Sequence, residues 1–180
     1  MNIPRFEFKR NEKGKYGLYD CKINDWIGDD VYDDVKKPIG RNGQSTLGVL
    51  FSRLVCCGGK WGVFSIHPDR LSIIIQCEYE EILYDCFDGM AGWLLKKEDG
   101  WGVYSLDEKQ MIIPCEYDLV ETAPFAWLLN KDGHWGLYDT KMRSFLLPCS
   151  YDKLIVTEHE CKMLNGTISK RKLVVVKQKS

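Results

Sequence analysis

The chain has 180 residues, of which 44% are hydrophobic and 28% charged, and a formal net charge of −1. A chain of this length makes one domain or one short repeat array that buries about 70% of its unfolded surface. A nearly neutral charge argues against a nucleic-acid partner, which asks for a strongly basic face. No apolar run approaches the roughly 18 residues of a membrane helix, and "MNIPRFEFKRNEKGK" holds no apolar signal core. The expected location is cytoplasmic, and the eight cysteines are expected to be free thiols there.

Taken in chain order, the predicted elements repeat. The first unit, residues 6–35, carries Tyr16-Gly17 in "KYGLYD" and ends near Tyr32-Asp33. Lys36 to Phe51, "KKPIGRNGQSTLGVLF", follows with three glycines and a proline; it reads as a long surface loop. The second unit, 53–82, has Trp61-Gly62 in "KWGVFS" and a later Tyr79-Glu80. The third, 93–120, runs from "WLLKKEDGW" through Trp101-Gly102 to "IIPCEYD", and the fourth, 127–155, from "WLLNKDGHW" through Trp135-Gly136 to "LLPCSYD". From glycine to tyrosine the distances are 15, 17, 15 and 15 residues. After Tyr151 the pattern stops, and a C-terminal capping hairpin over 155–178 is expected, with Asn165-Gly166 as a turn. Lys162, Lys170, Arg171, Lys172, Lys177 and Lys179 make that end basic, which protects an exposed edge strand from unwanted pairing.

Within a unit, "AWLLN" and "HWGLYD" are short aromatic and branched runs separated by Asp132-Gly133, a tight-turn signal. "DTKMR" turns the chain into "SFLLPCSYD". Three short antiparallel strands per unit are therefore expected. Alternation puts Trp135 and Leu137 on one face and Gly136 and Tyr138 on the other. Trp101 and Trp135 are expected in the core, and the glycines are expected where a neighbouring backbone or ring comes close. Pro114 and Pro148 mark a strand end or an edge. Asp118 and Asp152 are placed where the chain turns away, their carboxylates accepting from backbone N–H groups two residues on. The predicted fold is all-β, about four three-stranded repeats sharing one core, in a single domain over 1–180.

These columns resemble the WG-repeat family, which is widespread in bacterial proteins. The residues that carry the likeness are Trp61-Gly62, Trp101-Gly102 and Trp135-Gly136 with the "PCEYD" and "PCSYD" that follow. It spans roughly residues 6–155. Tyr16 replaces Trp in the first unit, and Gln76 stands where proline is expected in the second. The likeness implies a β-rich repeat architecture and an interaction or scaffold role, since the family has no general catalytic function.

Residues able to do chemistry are present without a known catalytic arrangement. His67 sits in a turn with Pro68, His134 follows a hairpin glycine and His159 belongs to the last hairpin; none lies in a metalloprotease, hydrolase or phosphate-loop motif. Cys77, Cys115 and Cys149 occupy one repeat column, and Cys56-Cys57 are adjacent, a poor chelating geometry. Glu78 and Glu116 share a column whose fourth-unit member is Ser150, so one geometry recurs where acid–base work needs two environments. Trp93 and Trp127 are read as packing residues, and Trp26, outside the columns, as the freest surface contact. No catalytic, cofactor-binding or metal-binding residue is assigned, no cofactor is expected, and no small-molecule ligand is indicated. The expected partner is another protein, bound by an adaptor or inhibitor; an immunity-type protein that neutralises a toxin or nuclease, and an enzyme with a Cys/His or carboxylate site, stay open as alternatives. Contacts are expected from Lys36–Phe51, Arg41 to Ser45 in particular, and from the basic last hairpin.

Overall fold

A computed structural model describes residues 5–28, 31–41, 49–87, 90–123, 126–139, 142–161 and 170–178. The architecture is all-β. The first sheet holds β1 (Phe6–Arg10), β2 (Tyr16–Asp20) and β3 (Asp25–Trp26). The second holds β4 (Asp34–Lys36), β5 (Ser52–Cys57), β6 (Lys60–His67) and β7 (Arg70–Tyr79). The third is built from β8 (Glu81–Phe87), β9 (Met90–Lys97), β10 (Gly100–Ser105) and β11 (Gln110–Tyr117). The fourth is built from β12 (Leu119–Ala123), β13 (Ala126–Lys131), β14 (His134–Asp139) and β15 (Ser144–Tyr151). A last antiparallel pair joins β16 (Lys153–Cys161) to β17 (Lys170–Gln178). In every sheet, neighbours in space are neighbours in sequence. Among the described residues no helix is long and apolar enough to cross a membrane.

The chain divides into two compact units, residues 1–84 with 95–98, and 85–94 with 99–180. In the first, Phe6, Leu18 and Ile66 are buried together, with Phe8, Ile27, Phe64 and Leu71 packed on them. In the second, Ala126, Leu137 and Leu154 are buried together, with Leu128, Trp135, Leu147 and Tyr151 against them.

The strand count differs from the expected three. The second, third and fourth sheets have four strands each. The additional strands are β4, β8 and β12, and each begins immediately after a Tyr-acid pair. Asp33, Glu80 and Asp118 are single bend residues between the bridge or outer strand before them and the new strand after them. The acid's own backbone N–H fixes this junction. Asp33 N donates to Cys56 O at 2.8 Å, Glu80 N to Lys96 O at 2.9 Å and Asp118 N to Asn130 O at 2.9 Å. The chain therefore does turn at the acid, but it turns into the next sheet, and the repeated bond runs from the backbone N–H; the expected reach of the carboxylate to an N–H two residues on is not what holds Asp118.

The hairpin turns follow the sequence. Asp132 and Gly133 both take left-handed angles, φ 53° and 77°, between the paired residues Lys131 and His134. That is the two-residue turn whose twist matches the strands.

One irregularity recurs three times. Trp101 faces Tyr117 and Val103 faces Ile113, so the short step along β10 is met by a longer one along β11. Trp61–Tyr79 with Val63–Ile75, and Trp135–Tyr151 with Leu137–Leu147, repeat the same bulge. The Pro114 and Pro148 positions lie inside it, on outer strands, where a missing donor does no harm. The glycine after each Trp lies beneath the bulge. A Cβ on Gly62 would stand 2.5 Å from Ile75 O, one on Gly102 2.6 Å from Ile113 O, and one on Gly136 2.7 Å from Cys149 Sγ. The close approach expected of these glycines is thus supplied by the bulged outer strand.

The buried tryptophans belong to the other column. Trp93 and Trp127 are 0% and 1% exposed, whereas Trp61, Trp101 and Trp135 are only half-buried. Trp127, the second residue of β13, has β12 and β14 on its two sides, facing Thr122 and Tyr138. Trp135 lies one residue from a hairpin turn, where the sheet ends and solvent reaches part of the ring.

Candidate functional site

The cysteine column has a structural job. Cys77 donates its thiol to Val55 O and Cys149 to Leu129 O, each at 3.5 Å. Each thiol belongs to the outer strand of its sheet, and each acceptor lies two strands away. The side chain crosses over the glycine of the intervening strand, which is possible because that residue has no Cβ. Burial, then the neighbouring Cys57 and Cys56 thiols, push the Cys77 pKa up to about 11, and burial raises Cys149. These thiols keep their protons at neutral pH and are poor nucleophiles. Cys21, Cys56, Cys57, Cys77, Cys115 and Cys149 are all free. Among the described residues no three His, Cys, Asp or Glu side chains converge as a metal site would require.

The acid column pairs with lysines. Glu78 meets Lys97 Nζ at 3.1 Å and Glu116 meets Lys131 Nζ at 3.3 Å. The same lysines stand 4.8 Å from the Tyr79 ring and 5.6 Å from the Tyr117 ring. Ser150 is exposed. A second set of pairs, at the junctions, was not foreseen. Lys15 pairs with Asp33, Lys60 Nζ lies 3.4 Å from Glu80, and His134 Nε2 lies 4.0 Å from Asp152. The signal was in the sequence: Lys15, Lys60 and His134 immediately precede the aromatic-Gly pair, and an acid stands at every junction. The hydrogen bond from Lys15, then the Gly58 N–H at 2.8 Å, hold the Asp33 carboxyl below its usual range.

Of the three histidines, His67 and His134 have described side chains. His67 ends β6, where its ring meets Phe51 edge-on at 4.8 Å and its Nδ1 accepts from Asp69 N at 3.3 Å. His134 is exposed, with Nδ1 2.9 Å from Asp132 O. His159 lies in β16, but its side chain is outside the described residues, as are 42–48 of the Lys36–Phe51 loop and the basic side chains of the last hairpin.

Two exposed features remain. The first is apolar. Tyr138 meets Phe145 edge-on at 5.5 Å and donates its hydroxyl to Ile112 O at 3.3 Å, and Arg143 pairs with Glu108. These contacts hold the starts of the outer strands β11 and β15 near each other. Met111, Met142, Phe145 and Leu146 are exposed there, Met142 by 72%. β15, "SFLLPCSY", is an edge strand without a single charged side chain. Edge strands are ordinarily blunted by charge.

The second is an open cleft of about 410 Å³ lined by Arg10, Asn11, Glu12, Lys13 and Trp26. Trp26 is 40% exposed, and the Tyr19 ring supports it edge-on at 5.4 Å.

Comparison of the chain with protein-family models and with curated proteins found no match.

Proposed function

We propose that the chain is a non-catalytic protein-binding module, an adaptor or inhibitor, built on repeats of the WG type. The observation that carries this reading is the exposed apolar start of β15 with Met111 and Met142 beside it. The repeated Cys, Glu and junction acids are engaged in bonds that hold the sheets, whereas Phe145 and Leu146 spend their apolar surface on solvent. An uncharged edge strand next to exposed methionines suits a protein partner, because Met adapts to varied surfaces and strand edges accept extended segments. A sheet that is already ordered loses little entropy on docking.

The test is affinity capture from the native host with the whole chain and with Leu146→Lys. A protein retained stoichiometrically by the first and lost by the second, at unchanged melting temperature, supports the reading. Turnover of a small molecule by the purified chain, abolished by single changes at His67, His134 or His159 without unfolding, replaces it with an enzyme.

A further inference from the structure

The cleft beside Trp26 is lined by two cations, Arg10 and Lys13. The β1–β2 turn that forms its wall is fixed by its own bonds: Asn11 N to Lys15 O at 2.8 Å, Gly14 N to Asn11 O at 3.0 Å and Lys15 N to Asn11 Oδ1 at 3.0 Å. Arg10 donates Nε to Gly14 O at 3.0 Å, and its guanidinium stands 6.0 Å from the Tyr16 ring. The flanking cations are committed, Lys9 to Glu7 at 3.2 Å and Lys15 to Asp33. Among the described residues neither Arg10 nor Lys13 has a carboxylate partner. Trp26 belongs to the two-residue edge strand β3. Tyr19 supports its ring, and Lys9 Nζ covers the Tyr19 ring at 3.4 Å, so the aromatic pair is held before any ligand arrives. Ile23, 63% exposed, lies on the turn that leads into β3.

We propose that this cleft binds a short acidic segment of a partner protein, with an apolar side chain of the segment on Trp26 and its carboxylates at Arg10 and Lys13. The proposal rests on the binding-module reading and gives that module's partner its chemistry. Guanidinium and ammonium donors make their strongest bonds to carboxylates and phosphates, and an exposed Trp offers a flat apolar platform. Glu12, in the same lining, decides between those anions. A nucleic-acid strand carries a phosphate at every nucleotide and would press one on the Glu12 carboxylate, whereas a peptide can place its acids at the two cations alone. The volume suits a few side chains of a peptide.

The experiment is fluorescence anisotropy with the whole chain and a labelled, amide-capped peptide in which Asp and Glu flank one Phe. Saturable binding is expected. Lys13→Glu and Trp26→Ala should each weaken it about tenfold, and added salt should weaken it too. The proposal is overturned by equal binding to a Lys13→Glu chain that melts like the wild type, or by equal binding of a peptide whose acids are replaced by Ser. Tighter binding of oligothymidylate would assign the cleft to nucleic acid instead, and absence of saturation at about 1 mM, the weak end of specific association, also overturns it. Leu146 is not among the residues that line this cleft, so failure of partner capture at β15 and failure of peptide binding here are separate results.

Discussion

Gly136 shows how closely one residue is bound to another in this chain. A Cβ there would meet Cys149 Sγ at 2.7 Å and also the backbone, Cys149 N at 2.9 Å and Leu147 O at 3.0 Å. Gly136→Ala should therefore cost about 1–3 kcal/mol, as overpacking does. Cys149→Ala in the same chain should recover only part of the loss, because the backbone contacts remain; urea unfolding of the three variants checks this. The two tryptophan columns differ in the same measurement. Trp127→Ala should cost about 3–5 kcal/mol, as for a fully buried aromatic, and Trp135→Ala clearly less. The sequence reads both columns as packing; the structure buries Trp93 and Trp127 of the "WLL" runs fully and leaves the motif tryptophans half-buried. Tyr117 adds a pH dependence. Burial, then the Glu116 carboxylate and the Cys149 thiol, push its pKa up to about 12. The folded state keeps the phenolic proton that the unfolded chain releases near pH 10. This contribution is complete below pH 10 and is lost as pH rises toward 12. Tyr117→Phe should remove that part of the alkaline loss of stability, measured by denaturant midpoint against pH.

The repeating element is a four-stranded meander entered through a one-residue bend. Its second, third and fourth strands were legible from alternation, the Asp132-Gly133 turn and the aromatic-Gly column. The first strand was not. "LVETA" and "DVK" are short, lack the motif residues, and follow a tyrosine and an acid that read as a way out of the sheet. The sequence holds no direct sign that Asp118 N will find Asn130 O, since a backbone bond depends on neither side chain. This bond makes a prediction. Asp118→Pro removes the donor and should cost about 1–3 kcal/mol. Asp118→Ala, at an exposed side chain, should stay within about 0.5 kcal/mol of wild type, as read by chemical unfolding.

For the whole molecule, six described thiols are free and the geometry gives three of them positions in successive sheets. Intact mass under non-reducing, denaturing conditions should equal that of the chain with all eight cysteines reduced. The candidate surfaces were legible to different degrees. Trp26 stood out because it falls outside the columns, but the cations of the β1–β2 turn carried no signal of their own, and their meeting with Trp26 in one cleft depends on the β2–β3 pairing. The exposure of Phe145 and Leu146 was hidden, because "SFLL" reads as an ordinary apolar strand until its place at a sheet edge is known. The shielded thiols have one more consequence. Cys77, Cys115 and Cys149 each sit half-covered on the outer strand of a different sheet. A thiol reagent that reacts only when that strand lifts turns each cysteine into a clock for its own sheet. In a repeat array, where neighbouring units need not open together, three clocks running at different rates would reveal which sheet opens first, without any label or probe being built into the chain.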